Sequence, residues 1–188
     1  LDPLGTVTHE PLEPNASCSW VEWTAATADE VNGRVYEFEA LDTDAGLAAT
    51  EWLQRDAFGD SFTKTRLLLS EQRLEGFITC RVSEATLTWS GARVLNVPRR
   101  RFRKRVPAYL LCWCAKNREA EIDGEELILN AIRLAREVQQ RHGCSVLVVD
   151  PRDEVSAEKV WKQKYGFREG ANPEEGKPPR LWLPLSAG

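Results

Sequence analysis

Three changes of hydrophobic period between Pro107 and Phe167 carry most of the structural information in this 188-residue chain. Ala108 to Ala115 is almost continuously apolar, as a strand covered on both faces requires. From Glu125 to Arg141 the period becomes helical. Leu127, Ile128, Ala131, Ile132, Leu134, Ala135 and Val138 fall on one stripe, and Gly143, just after His142, supplies the stop. Ser145 to Val149 predicts a second buried strand. Ser156 to Lys164 returns to helical spacing through Ala157, Val160 and Trp161, and closes in Tyr165-Gly166-Phe167. A Gly/Pro/Glu loop over 169–179 then leads to a final strand from Arg180 to Leu185.

Upstream, Arg34 to Ala40 alternates and is rich in β-formers, which predicts a half-buried strand. A helix from Ala45 to Phe58 follows from the spacing of Leu47, Ala48, Trp52, Leu53 and Ala57, with Asp42 or Thr43 as its N-cap. Thr65–Leu69 and Leu74–Ser83 form a hairpin about Ser70-Glu71-Gln72-Arg73, and Ala85–Trp89 is a further β-rich segment. Residues 1–32 hold Pro3, Pro11 and Pro14 and few periodic positions. They are expected to form an irregular arm, with one short helix near Thr24 to Val31, before a single domain over 33–188.

A net charge of -4 gives no global reason to expect nucleic acid, but the charge is unevenly spread. Arg99, Arg100, Arg101, Phe102, Arg103, Lys104 and Arg105 form a dense basic loop between Pro98 and Pro107. Its cations suit a phosphate backbone and Phe102 suits a stacked base; a solvated loop, or one neutralised by the acids at 119–126, is the competing reading. The five cysteines, odd in number and irregularly spaced, do not make a disulfide framework. Cys112 and Cys114 share one face of a strand, and core packing explains them better than a metal clip without further ligands. No apolar run of about 18 residues is present to span a bilayer, and the first residues lack a secretion signal, so a cytoplasmic location and no membrane are expected.

The order strand, turn, long helix, strand, small-residue helix closing in Gly-Phe resembles the GNAT N-acyltransferases over about residues 35 to 185. Leu47, Trp52-Leu53 and Ala57 are similar to the first helix of the toxin branch, which acetylates aminoacyl-tRNA. The resemblance implies an α/β fold, a mixed central sheet flanked by helices, and acetyl-CoA as cofactor. It implies that backbone groups of Cys112 and Cys114 align the pantetheine arm, and that Arg118 and Gly124 belong to the pyrophosphate turn. That turn normally reads Arg/Gln-x-x-Gly-x-Gly/Ala. Here Glu119 stands at the Arg/Gln position, Ile122 at the first glycine and Gly124 at the last; shifting by one residue brings Arg118 into register but puts Glu121 at the glycine. Glu119, Glu121, Asp123, Glu125 and Glu126 surround the place meant for an anion, and like charges disfavour it by at least about 1 kcal/mol each near a surface. The thiolate-protonating Tyr of the family falls at Lys162 counting back from Phe167, or at Trp161 counting forward from Ala157, and neither is a tyrosine; Tyr165, one turn further on, is the substitute acid, and Lys162 is placed to stabilise an anion.

Two functions follow as expectations. One is acyl-CoA-dependent transfer of an acetyl or acyl group to an amine, RNA-linked in the toxin manner. The alternative is a catalytically degenerate GNAT domain that binds a protein or nucleic acid, with tRNA at the 99–105 loop, a protein partner, or a second copy of itself.

Overall fold

The computed structural model describes residues 18–96, 105–170 and 178–185. Its strands are β1 (Ser19–Glu22), β2 (Lys64–Leu69), β3 (Leu74–Thr86), β4 (Arg105–Lys116), β5 (Val146–Val149), β6 (Arg168–Glu169) and β7 (Leu181–Pro184). They follow the order β1-β2-β3-β4-β5-β7-β6 in one seven-stranded sheet. The helices are α1 (Ala28–Tyr36), α2 (Asp44–Arg55), α3 (Trp89–Val94), α4 (Gly124–His142) and a π-helix over Ser156–Lys164. This is a mixed α/β architecture, with β4, α4 and β5 forming the βαβ unit that the pattern around Pro107 predicts.

The chain divides into two compact units, through both of which β3 and β4 pass. The first comprises Pro11–Arg81 and Leu111–Ala131. Within it β1 pairs antiparallel with β2 (Ser19 opposite Leu69, Glu22 opposite Arg66), and β2 with β3 (Leu67 opposite Phe77). The hairpin closes because Ser70 N–H donates to Arg73 O at 3.0 Å while Ser70 Oγ accepts from the Gln72 and Arg73 amides. Val31, Val35, Phe38, Leu53, Leu67, Leu74 and Phe77 are almost fully buried and form the core. Each such side chain contributes roughly 1.5–3 kcal/mol of transfer free energy.

The strand expected over Arg34–Ala40 is a correction: α1 runs to Tyr36, and only Ala40 makes a β-bridge, to Asn117. The β-formers there are placed by burial. Ala28, Val31 and Val35 line one helical face against the core, whereas Tyr36 is 70% exposed, so tertiary packing overrides local propensity. Within the segment expected to be an irregular arm, Ser19–Glu22 forms β1, and α1 starts at Ala28 rather than near Thr24. The α2 start is as expected: Thr43 is extended, and its hydroxyl accepts from Gly46 N–H at 3.1 Å.

The second unit comprises Leu1–Glu10, Val82–Leu110 and Ile132–Gly188. All four β5 residues are buried, and β5 pairs antiparallel with β7 (Val146 opposite Pro184, Val149 opposite Leu181). Ser145 N–H donates to Pro107 O at 2.9 Å, which joins the start of β5 to that of β4. The β-rich stretch at Ala85–Trp89 resolves differently from its expectation. β3 ends at Thr86, and Thr88 caps α3, whose Gly91 lies against the Trp182 ring; an added Cβ would stand 3.1 Å from it. The two-residue strand β6, paired to β7, stands where the sequence predicts the start of a loop.

Candidate functional site

The turn between β4 and α4 is built around Asn117, a buried polar residue whose groups are all engaged. Its N–H donates to Glu75 O at 2.8 Å and its side-chain amide to Leu74 O at 3.1 Å. Its Oδ1 accepts from Glu119 N–H at 3.0 Å, and its carbonyl from Ala120 N–H at 3.1 Å. Arg118 N–H goes to Glu39 O at 2.8 Å. Across the turn, Lys116 Nζ donates to Ile122 O at 2.9 Å. At the start of α4, Asp123 caps the helix: its Oδ1 accepts from Glu125 N–H at 3.0 Å and its carbonyl from Glu126 N–H at 3.0 Å.

A phosphate cradle needs successive N–H groups turned outward, a helix N-terminus open to the anion, and cations in reserve. Here the amides of Arg118, Glu119, Ala120, Glu125 and Glu126 already bond inside the protein. The cations are matched too. Arg118 pairs with Glu39 at 2.6 Å, and Arg73 with Glu119 at 3.3 Å and Glu75 at 3.6 Å. Glu126 has a buried oxygen without a hydrogen-bond partner among the described residues, and desolvation raises its pKa above the usual carboxylate value. A group already disfavoured as an anion by lost solvation is disfavoured further by a phosphate beside it. In this arrangement those five amides and the paired arginines are not open to a pyrophosphate.

Cys112 and Cys114 stand half-buried on β4, and burial pushes the Cys114 thiol up to about 12, so it stays protonated. Between them Trp113 stacks on Trp52 (5.7 Å between centroids), which in turn stacks on Phe77 (6.3 Å). This three-ring stack joins α2 to β3 and β4.

In the second unit, Lys162 is held between Glu158 at 2.5 Å and Glu169 at 2.9 Å. The bonds to Glu158 and then Glu169 raise its pKa above the usual lysine value, which makes the ammonium a poor proton donor. Tyr165 is buried at 2% exposure, its ring 6.2 Å from that of Trp161. Asp153 accepts from Ser156 N–H at 2.6 Å at the start of the π-helix, and this bond chiefly lowers its pKa. Of the basic loop, Arg99, Arg100, Arg101, Phe102, Arg103 and Lys104 lie outside the described residues; Arg105 pairs with Glu84 at 3.4 Å on the surface.

No protein-family model matches the chain, and no curated protein does. Solved structures do match. A Tyr-to-Phe variant of KacT is similar at a TM-score of 0.69 and 17% identity, over 90% of this chain and 95% of that one. AtaT complexed with acetyl-methionyl-tRNAfMet is similar at 0.69 and 16%, over 89% and 94%. A variant AtaT toxin bound to the C-terminus of the antitoxin AtaR and acetyl-CoA is similar at 0.62 and 14%, over 89% and 93%.

The chain has the GNAT fold. Within that fold, sequence reasoning singled out Arg118 and Gly124 but missed Asn117, Glu39, Arg73 and Glu75, which wire the turn. Asn117 carried a usable signal, since an Asn directly after an apolar strand favours a turn closed by its own side chain. The other three come from distant segments and gave none. The chain is also electrically uneven: Pro11–Arg81 with Leu111–Ala131 carries 18 Asp and Glu against 8 Lys and Arg, and the other unit 11 against 17.

Proposed function

We propose that the protein is a catalytically degenerate GNAT domain that works as a binding module. The observation that carries this reading is the internal wiring of the β4–α4 turn. The amides of Arg118, Glu119, Ala120, Glu125 and Glu126 bond to Glu39, Asn117 and Asp123, and Arg118 and Arg73 are matched by glutamates. The state of Lys162, a cation clamped by two carboxylates, supports it from the side of the chemistry. Calorimetric titration with acetyl-CoA and a longer acyl-CoA at millimolar concentration tests it. The expected result is no saturable heat; binding in the micromolar range would overturn it.

A second reading has a specific observation in its favour. The fold is shared with AtaT, known in complexes with acetyl-CoA and with acetyl-methionyl-tRNAfMet. On that reading the chain is an N-acyltransferase acting on an RNA-linked amine, with Cys112, Cys114, Arg118 and Gly124 at the cofactor, Tyr165 as acid and Lys162 stabilising an anion. The 99–105 loop serves either reading as the nucleic-acid contact, because six cations in seven residues suit a phosphate backbone. Replacing Arg99, Arg101 and Arg103 with Glu should abolish tRNA retention and its salt dependence; unchanged retention counts against the loop.

A further inference from the structure

A rigid knuckle stands between α1 and α2. Thr43 N–H donates to Leu41 O at 2.7 Å, and Leu47 N–H to Thr43 O at 2.8 Å. Gly46 lies so close to Leu41 that an added Cβ would meet the Leu41 carbonyl oxygen at 1.9 Å. Leu41 and Leu47 are thereby fixed near one another, yet they are 60% and 58% exposed, and Tyr36 at the end of α1 is 70% exposed. The two leucines thus stand open on an ordered turn of three closed hydrogen bonds, available to a partner.

The charge beside them specifies the partner. Glu37 and Asp42, which flank Leu41 along the chain, are exposed and make no ion pair among the described residues. Of the nearby cations, Arg55 is taken up by Glu51, while Arg34 donates to the carbonyls of Ser70 and Glu71. Nucleic acid and anionic lipid are both repelled by such a face.

We propose that the Leu41–Leu47 knuckle docks a cationic, amphipathic segment of a partner protein, whose apolar side covers the leucines and whose Lys or Arg residues meet the carboxylates. The inference rests on the binding-module reading, but its test is separate: failure of the acyl-CoA titration to come out as expected would leave the peptide result standing on its own.

The test titrates the full chain, labelled for amide NMR, with an amphipathic Leu/Lys helical peptide of about 18 residues, long enough to hold a helix on binding, and with its Leu/Glu counterpart. Shift changes should cluster over residues 36–51 with the Leu/Lys peptide only, and fade as salt is raised. A Leu41→Ser/Leu47→Ser variant, which folds because both side chains are more than half exposed, should bind about tenfold or more weakly at an unchanged melting temperature. Absence of binding, shifts elsewhere, equal binding of the Leu/Glu peptide, or unchanged affinity of the variant overturns the proposal. So does dimerisation through these leucines without peptide, which would assign the face to a second copy.

Discussion

Gly46 offers a sharp test because two general rules oppose each other there. In a helix, Gly to Ala ordinarily stabilises by about 1 kcal/mol. At position 46 the new methyl would stand 1.9 Å from the Leu41 carbonyl oxygen and 3.0 Å from its carbon, and backbone cannot rotate aside as a side chain can. Overpacking of this kind costs about 1–3 kcal/mol, here at the upper end, so a net loss of about 2 kcal/mol is expected for Gly46→Ala. For a chain of this length the melting temperature should fall by roughly 4–8 °C. Gly33 supplies the control: it lies inside α1 with nothing within 4 Å of an added Cβ, so Gly33→Ala should gain up to about 1 kcal/mol. Thermal melts followed by circular dichroism, with urea unfolding for the free energies, measure both. If Gly46→Ala melts at or above the wild type, the α2 start yields freely, and the rigidity argued for the knuckle is refuted.

Glu126 should show its effect through pH. Its folded-state pKa is raised by desolvation, so the carboxyl favours the native state below about pH 4.5, and that contribution is lost as pH rises through the folded value. Glu126→Gln should therefore melt above the wild type at pH 7, with the gap closing toward pH 4; a lower melting point at pH 7 would show a carboxylate stabilised by the helix N-terminus instead. Cys114, with its thiol near 12, should stay unmodified by iodoacetamide at pH 8 in the native chain and react only in denaturant, as peptide mapping by mass spectrometry would reveal. Arg180→Ala breaks a bidentate pair with Asp150 at 2.6 Å, but both side chains are about half exposed. Urea unfolding should register a loss of no more than about 1 kcal/mol.

The pattern of apolar positions made the βαβ segment legible because burial on both faces of β4 and β5, and on one face of α4, leaves an unmistakable period. It misled at Arg34–Tyr36, where Val35 and Tyr36 suit a strand locally but the i, i+4 pair Val31 and Val35 faces a core supplied by distant residues. The acidic composition of the turn was visible as sequence. Its consequence was not, since that depends on Glu39 and Arg73 arriving from other elements to pair with Arg118 and Glu119. Lys162 stood out by its place before Gly166-Phe167, whereas its clamp by Glu169 required the β6–β7 pairing that no periodicity announced.

The binding-module reading stands or falls on the β4–α4 turn, where the amides of Arg118, Glu119, Ala120, Glu125 and Glu126 are bonded within the protein. A crystal structure of the chain soaked in millimolar acetyl-CoA tests it directly. No ligand density is expected at residues 117–126, with Asn117 Oδ1 still bonded to Glu119 N–H and Asp123 still capping Glu125. Pyrophosphate density held by the amides of Ile122, Asp123 and Gly124 would contradict it.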